Sequence, residues 1–360
     1  AGKNLTARNV AAAAKKIPIP SISKKLIVKS VARVEFLRNF VKLRTIKIVW
    51  LVGILIGIFW ALKFVSDSVE TAFTSLSTKI KLPATVAGAT LLAIGGSAGE
   101  FFTSMNSAIF FGIFEIGLVT IVWSAIFNLF VITGAIGIRA KKPIPIAKKG
   151  VIRDMIFYAI AAILLVIFVW DGKMTRVEGF GFLGFYAVYL YILFWRSKHA
   201  AHEHVEHFHL PNWKIIFFAV GGLAAIAALS WGMIETGLEL AAIFGISIAV
   251  VSALIFAFGT SISDTFIAVS AAKKGNGSGA VSSIFGSNTF DIAVCLGTPI
   301  VIVGTVPVNI EVVRSSLVML FLSIIIVGFF VINDWKISKR EAWLSLITFG
   351  IFLTAFLCGI

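Results

Sequence analysis

GGSAGEFFTS, residues 95–104, places a carboxylate, Glu100, inside a run that otherwise reads as a membrane-spanning helix, and GTSISDTFIA, residues 259–268, does the same with Asp264. An ion held at the centre of a bilayer costs about 3 kcal/mol or more, so such residues face a cavity, a partner or a pathway. Two of them in matching surroundings imply a duplicated site.

The rest of the chain supplies the solvent for that reading. With 59% hydrophobic residues, 14% charged residues and a mean hydropathy of +0.99 over 360 residues, it carries more apolar surface than one soluble core can bury. It reads as an all-α polytopic membrane protein. A crossing helix needs about 20 apolar residues, and ten such runs occur, at 46–66, 83–111, 115–138, 154–171, 177–195, 213–233, 238–271, 279–305, 312–332 and 342–359. The two that hold the carboxylates, 83–111 and 238–271, exceed a straight crossing and are expected to be tilted or broken. Alternating the loops between sides gathers Lys79, Lys81, Arg139, Lys141, Lys142, Lys148, Lys149, Arg153, Arg196, Lys198, Lys273, Lys274, Lys336, Lys339 and Arg340 on one face, against Lys173, Arg176 and Arg314 on the other. The positive-inside rule makes the first face cytoplasmic, or matrix in a mitochondrion, so the plasma membrane and the mitochondrial inner membrane both fit.

Internal repetition organises the spans. Gly95-Gly-Ser-Ala-Gly-Glu100 aligns with Gly259-Thr-Ser-Ile-Ser-Asp264 as G-x-S-x-x-acid, and Trp123-Ser-Ala-Ile-Phe-Asn128 aligns with Gly286-Ser-Asn-Thr-Phe-Asp291 as S-x-x-F-[N/D]. Each copy is a helix pair, spans two and three or spans seven and eight. Five crossings separate the copies, an odd number, so the second enters from the opposite side. Two inverted five-helix repeats result, the organisation of secondary transporters that bind ions near the midplane.

If the copies cross, Glu100 and Asp264 meet, with Asn128 and Asp291 beside them and hydroxyls from Ser97, Ser124, Thr260, Ser261 and Ser287. Glu100 is expected to face Asn128, and Asp264 to face Asp291. Glycine-rich turns ahead of each acid are expected to unwind and expose carbonyls. Oxygen ligands alone suit a hard cation: calcium takes about 6–8 of them, whereas zinc or copper prefers His or Cys. Three carboxylates carry about three charges, enough for one calcium with one potassium, or for a set of sodium ions, but not for both sets together. Mutually exclusive occupancy of one site open to alternate sides couples the two fluxes. No covalent step is needed and no phosphate-binding loop is present, so neither an enzyme nor a cofactor is expected.

At these residues the chain resembles the cation/calcium exchanger superfamily. The motif G-[GT]-S-x-x-[ED]…S-x-x-F-[ND] in two inverted copies is similar to its alpha repeats, and AFGTSISDTFIAVSAAKKGNGSGAVSSIFGSNTFDIAV looks most like the potassium-dependent sodium/calcium exchangers. The resemblance implies a ten-helix antiporter with Glu100 and Asp264 as central calcium and sodium ligands, assisted by Asn128, Asp291 and the neighbouring hydroxyls. An aspartate at the place of Asp291 points to potassium co-transport. The family's proline before each acid is replaced by Gly99 and Ser263, and its glycine before the third-helix serine by Trp123, a residue large enough to block helix approach or fill the ion passage. Two other readings follow from these departures and from the acid pair: a degenerate exchanger fold serving as a structural subunit, and a proton/calcium exchanger.

The expected division is a basic arm at 1–45, a first half at 46–198 with its alpha repeat at 83–138, a linker at 199–212 and a second half at 213–360 with its alpha repeat at 250–305. Residues 1–47 hold about a dozen Lys and Arg against one acid, Glu35, and fit either an organellar targeting segment or an interfacial helix over Lys24–Lys47 that rests on anionic lipid or docks on a membrane-complex partner. No nucleic-acid motif accompanies the net charge of +15. All five histidines, His199, His202, His204, His207 and His209, lie in the linker, which reads as a solvated segment that tunes rather than performs transport. Cys295 and Cys358 fall inside spans and act as small hydrophobes.

Overall fold

A computed structural model describes residues 21–82, 87–139, 143–145, 148–197, 210–273 and 277–359, with side chains from Leu43 onward. The outer part of the arm, 1–20, and the histidines of the linker lie outside the described residues. The chain divides into two units, 1–56 and 57–360. In the first, the described backbone is helical from Ser21 on, through the stretch 24–47 expected to be helical and past it without interruption.

Among the described residues, ten helical segments follow in order. Helix α1 is Ser21–Lys79. Helix α2 covers 88–109 in three pieces, a π-helical turn Gly88–Leu92, then Ala93–Gly96 and Ala98–Ile109. Helix α3 is Phe114–Arg139, α4 is Lys148–Val169 and α5 is Arg176–Ser197. Helix α6 is Asn212–Phe244, α7 covers 248–273 and α8 covers 277–303. Helices α9, Ile310–Asp334, and α10, Lys339–Leu357, complete the set. Among the described residues, nine of these are long and apolar enough to cross a membrane by length and composition. The other is α2, too polar and too broken to register that way. Helix α3 is almost wholly buried, as its apolar surface on every side requires.

The joint between α6 and α7 falls later than the sequence reading put it. Instead of ending near 233, α6 runs to Phe244, stops at Gly245 in the left-handed region (φ 67°), and α7 begins after Ser247, whose hydroxyl accepts from the Val250 amide. Residues 234–237, which separate the expected spans 213–233 and 238–271, lie within α6.

Four two-residue strands reveal the symmetry that relates the halves: β1 (Ile144–Pro145), β2 (Lys173–Met174), β3 (Val306–Pro307) and β4 (Lys336–Ile337). Strand β1 pairs with β4, placing Ile144 opposite Ile337 and Pro145 opposite Lys336. Strand β2 pairs with β3, placing Met174 opposite Val306 and Lys173 opposite Pro307. Ile-Pro answers Val-Pro and Lys-Met answers Lys-Ile, so exchanging the halves maps one sheet onto the other. Each sheet joins loops that an alternating path puts on the same face. Helices α5 and α10 start alike: Glu178 accepts from the Thr175 amide at 2.6 Å, and Glu341 from the Ser338 amide at 2.6 Å in a capping box. The π turns are paired as well. They open twelve residues ahead of Glu100 and of Asp264, at Gly88 and Ser252, and again at Asn128 and at Asp291 themselves.

Candidate cation site

The two repeat helices approach most closely where side chains vanish. A Cβ added to Gly99 would sit 3.1 Å from Thr260 Cγ2, so Gly99 lets α2 lie directly on α7 and brings Glu100 level with Thr260 and Ser261. Behind them, Gly117 seats α3 against α2, since a Cβ there would come within 2.6 Å of Ser104 Cα.

Glu100 is fully buried. Its Oε1 accepts from Ser124 Oγ of α3 at 3.1 Å and from Ser261 Oγ of α7 at 3.4 Å, and the two hydroxyls lie 2.7 Å apart. Asp264 Oδ2 accepts from Asn128 Nδ2 of α3 at 3.0 Å and from Ser287 Oγ of α8 at 3.2 Å. Ser97 Oγ lies 3.2 Å from Ser287 Oγ. Thr260 turns its proton back to the Phe256 carbonyl at 3.0 Å, which leaves its oxygen free only to accept. Asp291, also fully buried, receives a weak S–H contact from Cys295 at 3.7 Å, one turn along α8. Asp264 and Ser287 retain partial exposure while Glu100, Asn128 and Asp291 do not.

This geometry redistributes the partners expected from sequence. Asn128 bonds Asp264, in the other repeat, rather than Glu100, because α3 of the first copy lies against α7 of the second. Asp291 is not hydrogen-bonded to Asp264. Among the described residues no three His, Cys, Asp or Glu side chains gather into a group able to hold a metal ion. The expected unwinding also differs between copies. Helix α2 breaks at Ser97 (φ −92°, ψ 17°), three residues before its acid, whereas the α-helical run Ala257–Lys273 passes through Ser263 and Asp264 without a break. Serine fits a helix interior far better than the proline it replaces. Trp123 neither blocks the approach of α2 nor fills the site. Its Nε1 donates to Ser316 Oγ of α9 at 3.0 Å and its ring lies 4.6 Å from that of Phe356 of α10, on a different side of α3 from Ser124.

One contributor escaped the sequence reading. Asn288 accepts from Asn128 Nδ2 at 3.1 Å and donates to the Ala125 carbonyl at 3.3 Å, bracing α3 against α8. Its counterpart in the first copy is Ala125, so a search for residues shared by both copies passes over it.

Two interlocked repeats surround a buried set of acids and amides. Residues 47–195 and 214–358 match the model of one family, described as sodium/calcium exchanger protein. The chain belongs to that family. The putative antiporter CaxA of Alkalimonas amylolytica is 27% identical over 278 residues, 75% of this chain and 85% of that one. The sodium/potassium/calcium exchanger 3 of Homo sapiens is 33% identical over 139 residues, 38% of this chain but 21% of the human protein. Among solved structures, the H+/Ca2+ exchanger CAX aligns at a TM-score of 0.68 and 15% identity, covering 85% of this chain and 82% of that chain. The sodium-calcium exchanger NCX_Mj aligns at 0.58 and 21% identity, covering 85% and 99%. Both share the fold.

Proposed function

We propose that this integral membrane antiporter exchanges calcium for sodium, with potassium as a further co-transported ion, at a midplane site made by Glu100, Asn128, Asp264 and Asp291 with Ser97, Ser124, Thr260, Ser261 and Ser287. One observation carries the reading. Among the described residues, Glu100 Oε2, Asn128 Oδ1 and Asp291 Oδ2 are buried acceptors without a hydrogen-bond partner. A buried acceptor left unpaired costs about 1–3 kcal/mol, more if charged, and three of them on the residues of the duplicated motifs share one remedy, a hard cation. The donors already present hold the other oxygens of Glu100 and Asp264 in place, so the orientation is set before an ion arrives.

With about three carboxylate charges, the site balances one calcium plus one monovalent cation, or a set of sodium ions. Binding of one set then excludes the other, and exposure to alternate faces turns that competition into exchange. Of the three departures behind the scaffold reading, Trp123 is engaged by Ser316 and Phe356 rather than by the site. Calcium uptake into proteoliposomes under an imposed sodium, potassium or proton gradient, one at a time, tests the proposal. Uptake driven by sodium and increased by potassium is the expected result. Uptake driven by protons alone would replace sodium as the coupling ion, and no uptake under any gradient would overturn exchange.

A further inference from the structure

One more acid is buried, far along the sequence from the repeat motifs. Asp154, in the first two turns of α4, is 2% exposed. Arg153 grips it with Nε to Oδ1 at 2.7 Å and a second guanidinium nitrogen to Oδ2 at 3.1 Å. Tyr189 of α5 donates to Oδ1 at 3.2 Å, and Ser282 of α8 donates to Oδ2. One carboxylate thus ties three helices together.

The pseudo-symmetry shows that the fold itself does not demand this knot. Some 163 residues on, Arg153, Asp154 and Tyr189 become Ser316, Leu317 and Phe352, and Ser282 corresponds to Val119 in the first half. At the equivalent junction, α3 meets α9 through the Trp123–Ser316 hydrogen bond in a setting of buried apolar residues. A buried ion pair is seldom worth more than a well-packed apolar contact, so its retention on one side alone calls for a role beyond packing. The connection to the site runs along α8. Ser282 lies five residues before Ser287, six before Asn288 and nine before Asp291, on a continuous α-helical stretch that ends at Phe290, where the π turn begins. Tyr158, one turn past Asp154 on α4, packs its ring 6.1 Å from that of Phe285 on the same stretch.

We propose that Asp154 is a positioning residue for cation binding: by clamping Ser282 between α4 and α5 it sets the height of α8, and with it the placement of Ser287, Asn288 and Asp291 against Glu100 and Asp264. The inference rests on the cation site proposed above. A helix free to slip by part of a turn would move all three α8 groups together, and a shift of that kind weakens binding before it affects the rate at saturation.

Ser282→Ala and Tyr189→Phe each remove one donor while leaving the Arg153 pair intact, and Ser282→Thr restores the hydroxyl. Radioactive calcium binding to purified protein in detergent, calcium flux in proteoliposomes and the thermal midpoint are measured for each. The expected result is a rise of about five-fold in the calcium concentration for half-maximal binding and flux in both variants, the scale of one net hydrogen bond. Maximal flux should stay near wild type, the double variant should shift further, and Ser282→Thr should stay close to wild type. A lower thermal midpoint with unchanged calcium affinity makes the knot purely structural and overturns the proposal, as does no change in any measurement. Wild-type protein that binds no calcium overturns the cation site itself, and the positioning role falls with it.

Discussion

Glu100 uses its two oxygens differently. Oε1 is held by Ser124 and Ser261, while Oε2 has no hydrogen-bond partner among the described residues. Replacing the acid by glutamine keeps the size but removes the charge and puts N–H donors where acceptors are needed, so Glu100→Gln is expected to abolish calcium flux in proteoliposomes; normal flux would remove Glu100 from the site. Asp291 is an acid where the first copy has the amide Asn128. Asp291→Asn makes the copies alike at that position and removes one charge, and calcium flux measured against potassium concentration should lose its potassium dependence while retaining a sodium-driven component. Trp123 belongs to a different contact. Trp123→Phe forfeits the bond to Ser316 and leaves that hydroxyl unpaired, a loss of about 1–3 kcal/mol. It should lower the thermal midpoint and leave calcium affinity alone.

Helices α2, α3, α7 and α8 owe their shapes to features of unequal visibility. A π turn widens the helix by one residue and is frequent at functional sites, and here such turns begin at the two motif residues Asn128 and Asp291. Nothing in the local sequence announces them, because they are set by what the helix packs against. The acid motifs were legible for the opposite reason: a carboxylate in an apolar run is conspicuous, and a second copy fixes its meaning. The end of α6 was misread because the true stop, Gly245 followed by Ser247, is a small signal of left-handed residue and cap. The crossing at Gly99 was legible as glycine, though its contact with Thr260 was not, since that depends on how two distant segments meet. Gly117 offers a check on this packing. A Cβ there would press on Ser104 Cα at 2.6 Å and on the Ser104 and Ser107 hydroxyls at 2.8 Å. Backbone cannot yield as a flexible side chain can, so Gly117→Ala should cost about 1–3 kcal/mol and reduce the yield of folded protein. Gly150→Ala, with nothing within 4 Å, should not. Thermal unfolding in detergent compares the two.

The whole chain is two copies of one plan, and the loops record it as clearly as the spans. Lys148 Nζ lies 5.3 Å from the centre of the Trp335 ring, so the α3–α4 and α9–α10 loops are neighbours, as the pairing of β1 with β4 also requires. Cysteine introduced at Lys149 or Lys339 should therefore react with an impermeant reagent from one face, and cysteine at Lys173 from the other, in a Cys358→Ser background that keeps buried Cys295. Labelling of Lys149 and Lys339 positions from opposite faces would refute the shared topology. Both strand pairs, and the Asn128–Asp264 and Asn128–Asn288 bonds, join a residue before the linker to one after it. Neither half closes its own sheets, so the covalent link adds proximity rather than instructions for assembly. Two fragments produced separately in one cell, 1–198 and 210–360, should complement each other into a functional whole, while either alone should be degraded as an orphan.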